Sequence, residues 1–448
     1  MKKLAIVLLL AVLAMSVGFS AAQDTTIPSE LPSGVTITYW HEWGGGQLDA
    51  INALVDDFNA NNEWGITVDA TSPGGSGDVQ NAVQTGITTG DLPNLTGAVF
   101  TDTAQGLYTD GVLVPLDDYM NDPTWGLTDE EKANIDMSII DVNRSPGEPF
   151  NNQLLAWPTG VSADVLSVNM TMLNQLGFDK APETLDDFRA VSCAANDLTT
   201  ADGGDVQGFA LRIDSFDMFS FIVSNGGTVF DNATQQYDFT DDNTIEVLQF
   251  FQDLYNDGCA YIAEGYNNTG DFSLGLNPMA VGSTAGIPYI QGPIDDNNLD
   301  INWINTTTPW KDDHRTIQVF LRSMSVLTGT PEQQLASWLF LKYLASPQAQ
   351  ITWTNATQYI PYTKSGLDAI DSGDITISPQ LDEITTLMNS GDVQLWAAPQ
   401  APGSQQVFFG VSDTLVADIT TGGMDVMAAA QKATDAANQA LADAQSNM

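Results

Sequence analysis

"VTITYWHEWGGGQLDAINALVDDFNA", Val35 to Ala60, holds a strand, a glycine turn and a helix in that order. Val35 to Trp40 alternates with the period of two that a pleated strand requires. Leu48, Ile51, Leu54, Val55 and Phe58 recur at helical spacing, so a helix follows Gly44-Gly45-Gly46. "GITVDA" (65–70) reads as a second strand, "DVQNAVQTGITTG" (78–90) as a helix and "NLTGAVF" (94–100) as a third strand. This βαβαβ order predicts an α/β fold with a parallel sheet flanked by helices.

The alternation resumes after Pro149. "LLAWPTG" (154–160) and "DVLSVN" (164–169) read as strands. "MTMLNQLGF" (170–178) and "TLDDFRAVSCAAND" (184–197) read as helices, the second started by Thr184 with acids in its first turn. "VQGFALRI" (206–213) is a strand, and "DNTIEVLQFFQDLYNDG" (242–258) an amphipathic helix stopped by Gly258. "NPMAVGSTAG" (277–286) is a strand breaking into a glycine loop. "PEQQLASWLFLKYLAS" (331–346) begins a helix at Pro331, and an Ala-rich helix closes the chain from Met424 to about Gln445. No internal repeat or low-complexity linker separates two beads, so the chain crosses between halves more than once.

Met1-Lys2-Lys3, the apolar run Leu4–Val17 and Ser20-Ala21-Ala22 have the form of a secretory signal peptide over residues 1–22. The apolar run is shorter than the ~18–20 residues a membrane span needs. No cysteine follows it, so no lipid anchor is expected. Residues 23–33, rich in Pro, Ser and Thr, read as a flexible leader.

The chain carries 57 Asp+Glu against 13 Lys+Arg, and Glu supplies only 11 of the acids. Without a basic patch it excludes nucleic acid and anionic lipid as partners. With 43% hydrophobic and 9% aromatic residues it is not disordered. An exported chain meets an oxidising compartment, so Cys193 and Cys259 form a disulfide or remain two buried thiols. The two histidines, His41 and His314, lie far from both cysteines, and no metal site is expected. Asp296, Asn298 and Asp300 mimic half a calcium loop but lack its glycine and distal Glu.

The order of segments resembles the extracellular solute-binding proteins of ABC importers, in the sugar and glycerol-phosphate branch (family 1). "ITYWHEWGG…LDAINALVDDFNA" resembles the family's opening strand and helix. "QTGITTGDLPNLTGAVF" (84–100), "AQGLYTDGVLVPLDDYM" (104–120), "DVLSVNMTMLNQLGFDKAPETLDDFRA" (164–190) and "ASWLFLKYLASPQAQITWTNATQYIPYTKSG" (336–366) follow in family order. Asn94, Met170, Asp186 and Arg322 depart from its usual residues. The resemblance implies a two-lobed periplasmic-binding-protein-like fold, each lobe a sheet flanked by helices, with a ligand cleft between them. It implies lobe one at 34–145 with 315–362 and lobe two at 146–314 with 363–448. It implies a monomer, exported to the periplasm or beyond, that hands a carbohydrate to a separate membrane permease. A glycerol 3-phosphate or other anionic polyol binder is the alternative within the class. The branch usually places an Arg near Gln406, and none is present there.

Ligands of open α/β sheets sit beyond the carboxyl ends of strands. Trp40, His41, Glu42 and Trp43 hold that position after the first strand. An indole covers the C–H face of a sugar, and carboxylate or imidazole meets its hydroxyls. The competing roles are core packing for the indoles and a loop contact for His41. By the same geometry the candidates extend to Thr101 and Asp102, Trp157 and Thr159, Ser283 and Thr284, Tyr359 and Tyr362, and Trp396 with Gln405 and Gln406. Arg322 offers a guanidinium for an anionic group, or an internal salt bridge. No cofactor motif appears: "GSTAG" sets Ser283 out of place for a nucleophile elbow, and there is no P-loop. The expected protein is not an enzyme. A secreted glycoside hydrolase is the rival, since so many acids supply a carboxylate pair by chance.

Overall fold

The computed structural model describes residues 26–199, 203–212, 217–399 and 401–446. The signal-peptide reading of residues 1–22 falls outside them. The sequence pattern is realised as a mixed α/β architecture around one large sheet. Its strand order is Met279–Ser283, Trp157–Asn169, Thr316–Val326, Leu95–Val99, Thr36–Trp40, Thr67–Thr71. Trp303–Thr306 pairs alongside Trp157–Asn169, and Gln394–Ala397 alongside Thr316–Val326.

Thr36–Trp40 is parallel to Thr67–Thr71 and to Leu95–Val99. Helix Gly45–Asn61 turns Ala50, Ile51, Leu54, Val55 and Phe58 inward, matching the predicted stripe. Helix Pro331–Leu344 starts at a Thr330/Gln333 capping box with Pro331 at its first turn. It buries Leu335, Trp338, Leu339, Phe340 and Leu341.

Two strands differ from the sequence reading. "LLAWPTG" and "DVLSVN" are not separate: Trp157–Asn169 is one continuous strand of 13 residues, buried throughout. Its partner, Thr316–Val326, carries apolar residues on both faces, so it shows no clean alternation to find. The two pair antiparallel from Val319↔Ala163 to Met324↔Trp157. Trp157 and Val161 belong to a first core with Tyr39, Phe58 and Trp338. Leu166 and Val168 of the same strand belong to a second core with Phe188, Phe221, Phe251 and the C-terminal helix Val426–Ser446. The long strand Trp157–Asn169 therefore serves both cores, while Thr316–Val326 lends Ile317, Val319, Met324 and Val326 to the first alone.

The leader read as loose is docked where it is described. Ile27 and Leu31 pack on the first core, and Trp125 Nε1 donates to the Pro28 carbonyl at 2.8 Å. Cys193, in helix Leu185–Ala195, is bonded to Cys259, which precedes strand Ala260–Ala263. The bridge spans a sequence separation of 66 residues. Closing a loop of that length removes denatured-state entropy corresponding to about 4 kcal/mol at most. The Cys193→Ser/Cys259→Ser variant should therefore unfold at a markedly lower denaturant concentration. An unchanged midpoint would show that the bridge adds nothing.

Candidate functional site

The first strand ends at Trp40, and the next three residues separate two jobs. His41 is 1% exposed; its Nδ1 accepts the Trp43 N–H at 3.3 Å, and its own N–H donates to the Thr71 carbonyl at 3.0 Å. Burial pushes its imidazole down to about 4, so it is neutral at pH 7. Trp43 is buried, its Nε1 donating to the Tyr39 hydroxyl at 3.3 Å. It packs edge-on against Trp353 at 5.0 Å and Tyr359 at 6.0 Å. Trp40 is half-buried against Val99, Leu107 and Leu155. Trp43, Trp353 and Tyr359 thus build the wall behind the site, because enclosed rings gain more from packing than from an open face.

Glu42 points the other way. Both its carboxylate oxygens are shielded from solvent and no described side chain bonds them; the backbone N–H groups of Glu42 itself and Ala98 face the carboxylate. They lie over Gly97, where a Cβ would stand 2.5 Å from Oε2, and the next residue, Ala98, sits in the left-handed region at φ 54°. Burial raises the Glu42 carboxyl above its ordinary range, and the nearby Arg322 charge works against that rise.

Arg322 comes from the crossing strand Thr316–Val326. Its guanidinium lies 5.4 Å from the Phe100 ring centre and bonds Ser76 Oγ at 3.4 Å, and Thr159 Oγ1 donates to its carbonyl at 2.8 Å. Tyr359 is raised by burial, and the adjacent Arg322 charge opposes the shift. Tyr289, in helix Ile287–Asp296, is close enough to add to that balance and is 64% exposed.

Asp102 begins a second cluster. It lies in the first turn of helix Thr101–Thr109, beside half-buried Thr101. Its Oδ1 accepts the Thr103 N–H at 2.9 Å. Its Oδ2 accepts the Gln405 N–H at 2.9 Å, from a segment packed on the second core. Burial raises this carboxyl too.

Glu42, Thr159, Arg322 and Tyr359 therefore converge. Trp157 does not join them: it is fully buried, donating to the Tyr362 hydroxyl at 3.2 Å and packing edge-on against Trp338. Thr284 is sealed and accepts the Ala163 N–H at 3.1 Å; Ser283 is half-buried and caps Ala285. Trp396 is half-buried on the second core, opposite Gln318 in the sheet, and Gln406 is exposed. Among the described residues no acidic, His or Cys group of three could hold a metal ion, the Asp296–Asp300 turn included.

The sequence reading missed Ser76, Phe100 and Tyr289. Each follows the carboxyl end of a strand, so the rule that found Trp43 would have found them. It also missed a buried network at the crossing. Asp164 is fully buried, with the Ser220 hydroxyl 2.5 Å from its Oδ2 and Gln318 Oε1 2.8 Å from the same hydroxyl. Burial, followed by the nearby Asp217 charge, pushes Asp164 well up. The Ser220 hydroxyl donates within this pair of acceptors, and Asp164 Oδ1 and Gln318 Nε2 have no partner among the described residues.

Two halves joined by shared strands, with polar groups converging beyond the strand ends, define a protein built to hold a small solute between lobes. The chain belongs to the bacterial extracellular solute-binding proteins, whose family model matches residues 53–381. The sn-glycerol-3-phosphate-binding periplasmic protein UgpB of Escherichia coli (strain K12) is 21% identical over 369 residues, 79% of this chain and 80% of the relative. The GacH receptor of Streptomyces glaucescens, solved unliganded and with acarbose, superposes with a TM-score of 0.72 at 17% identity, covering 92% of this chain and 100% of that one. UgpB of Mycobacterium tuberculosis, solved with glycerophosphocholine, gives 0.72 at 17%, covering 92% and 99%. These structural likenesses show the two-lobed fold.

His41 titrates at about 4 in the folded chain and near 6.5 when unfolded. The unfolded state therefore takes up a proton first, and the stability this neutral ring contributes is lost as pH falls from about 6.5 to 4. His41→Gln should lose less melting temperature over that window than the parent; an identical fall would remove His41 as a cause. At Gly160 a Cβ would stand 2.9 Å from the Trp353 and Tyr359 rings. Gly160→Ala should cost about 1–3 kcal/mol in denaturant unfolding. Unchanged stability would mean the aromatic wall is loosely packed.

Proposed function

We propose that this chain is exported through residues 1–22 and captures a carbohydrate, a mono- or oligosaccharide, between its lobes for delivery to the permease of an ABC importer. Lobe one is taken as 34–145 with 315–362 and lobe two as 146–314 with 363–448. The observation that carries the reading is the long strand Trp157–Asn169, which lends Trp157 and Val161 to the first core and Leu166 and Val168 to the second, paired to the strand that carries Arg322, whose backbone Thr159 holds. Closure would then be a hinge motion at the shared strands. The acarbose-bound GacH receptor and the sugar-binding protein MalE from Xanthomonas citri share the fold.

A second reading is a binder of glycerol 3-phosphate or another anionic polyol. Arg322 favours it, since a guanidinium grips phosphate oxygens in pairs. The hydrolase reading has less support. Glycoside hydrolysis needs two carboxylates free to act on one bond. Here Asp102 is occupied by the Gln405 N–H, and Glu42 faces a guanidinium.

Capture and closure are read together by small-angle scattering and thermal shift. The cognate solute should lower the radius of gyration and raise the melting temperature. An occupancy of a hundred times Kd corresponds to about 2.7 kcal/mol of added stability. Release of free sugar from an oligosaccharide would instead establish a hydrolase.

A further inference from the structure

We infer, resting on the reading of two lobes that close at a hinge, that the hydrogen bond from the Gln405 N–H to Asp102 is a latch: it holds the halves together without solute and parts when the cleft opens. The two partners are anchored to different cores. Asp102 lies in the first turn of helix Thr101–Thr109, just beyond the carboxyl end of strand Leu95–Val99. That helix turns Ala104 and Leu107 into a cluster with Val83, Val99 and Leu113, all within the stretch taken as lobe one. Gln405 lies in Ser404–Gln406. The turns that follow bury Val407 and Val411 in the second core, with Ala433, Ala437 and Ala440 of helix Val426–Ser446. Gly403 sits close against that helix, for a Cβ there would stand 2.8 Å from the Ala440 carbonyl oxygen. The bond joins residues 303 positions apart and is part of neither core's own packing.

The first amides of a helical segment find no acceptor inside it. Gly403, in the left-handed region at φ 74°, has no side chain to cap Ser404–Gln406. Asp102 supplies the acceptor from the other half. Its Oδ2 takes the Gln405 N–H at 2.9 Å while its Oδ1 takes the Thr103 N–H of its own helix at 2.9 Å. Burial raises the Asp102 carboxyl and the Gln405 amide lowers it, so the amide offsets the cost of bringing the carboxylate into the contact. When the halves part, donor and acceptor both turn to water. The net strength of the bond is the modest difference between the two states. A contact of that size biases an equilibrium between closed and open forms without locking it. Asp102 is then a residue of closure rather than of solute contact.

The test needs no solute. The full mature chain is followed by small-angle scattering and by deuterium uptake in residues 101–109 and 404–411. Asp102→Ala removes the acceptor and Gln405→Pro removes the donor. Each should lower the closed-to-open ratio about tenfold, raise the radius of gyration and raise uptake in both segments together. The two combined should open the chain no further than either alone, because they remove one bond. Asp102→Asn keeps an acceptor oxygen and should fall between the parent and Asp102→Ala. Gln405→Ala keeps the backbone N–H and should match the parent. Uptake that rises only in the segment carrying the substitution, at an unchanged radius of gyration, would overturn the latch and leave solute capture standing. Additive opening in the double variant would overturn it as well. If the variants open as expected but no sugar or polyol phosphate raises the parent's melting temperature, the latch holds and capture is wrong.

Discussion

The structure depends on the pairing of two long strands. Trp157–Asn169 and Thr316–Val326 run antiparallel through the middle of the sheet; the first lends side chains to both cores, the second to the first core. Trp157–Asn169 is sealed along its whole length although it carries Ser162, Asp164, Ser167 and Asn169, and hydrogen bonds to Ser220, Asn305 and Met172 take up the last three. The consequence is mechanical. The first core draws Tyr39 and Trp338 together with Phe272, Ile287 and Trp303, so the two halves are tied by packing as well as by the shared strands. The shared pair is a two-stranded ribbon of sheet, stiff along its length and able to twist.

The same ribbon sets the chemistry of the cleft. A register shift between Arg322 and Ser323 breaks the regular pairing where the ribbon passes Gly160. Such irregularities re-aim side chains. Here the bulge lies where Arg322 meets Ser76, Phe100 and Glu42, while Thr159 fixes the Arg322 backbone. The aromatic wall of Trp43, Trp353 and Tyr359 fills the space behind, and Gly160 admits it. A flat apolar backing and a few polar groups is the usual composition of a small-solute site.

What the sequence disclosed divides along physical lines. Helix faces were legible because a stripe at 3.6-residue spacing survives in one dimension: Ile51, Leu54, Val55 and Phe58 all turned inward as spaced. The short parallel strands were legible from their flanks. Thr316–Val326 was not read as a strand, because a strand buried on both faces has no period to detect. In the site, residue type proved a weaker guide than position. Trp157 and Trp43 have the chemistry of sugar platforms, yet both are enclosed, since nothing in a sequence says which face of a loop meets solvent. Glu42 and Arg322 lie 280 positions apart and meet only through the sheet. Tyr289, by contrast, was open to the strand-end rule and went unread.

The charge composition has a structural logic that also reaches the cleft. With 13 basic residues for 57 acids, ion pairs cannot settle most carboxylates. Backbone N–H groups take over. Asp117 accepts from Leu154, Asp122 from Thr124 and Trp125, and Asp241 from Thr228, Asn243 and Thr244. Aspartate suits this role because its short side chain reaches local amides without the entropy of a longer stem. That accounts for Glu supplying only 11 of the acids. Asp102 extends the device between the halves, holding the Gln405 N–H where a conventional design would set a cation. Salt in the medium screens the remaining repulsion over about 8 Å at physiological strength, so two acidic halves can approach. Most of the few cations pair with acids, among them Arg144, Arg189, Lys311, Lys342 and Lys432. The guanidinium of Arg322 bonds the Ser76 hydroxyl rather than a carboxylate, and the nearby Glu42 carboxylate is left to backbone amides.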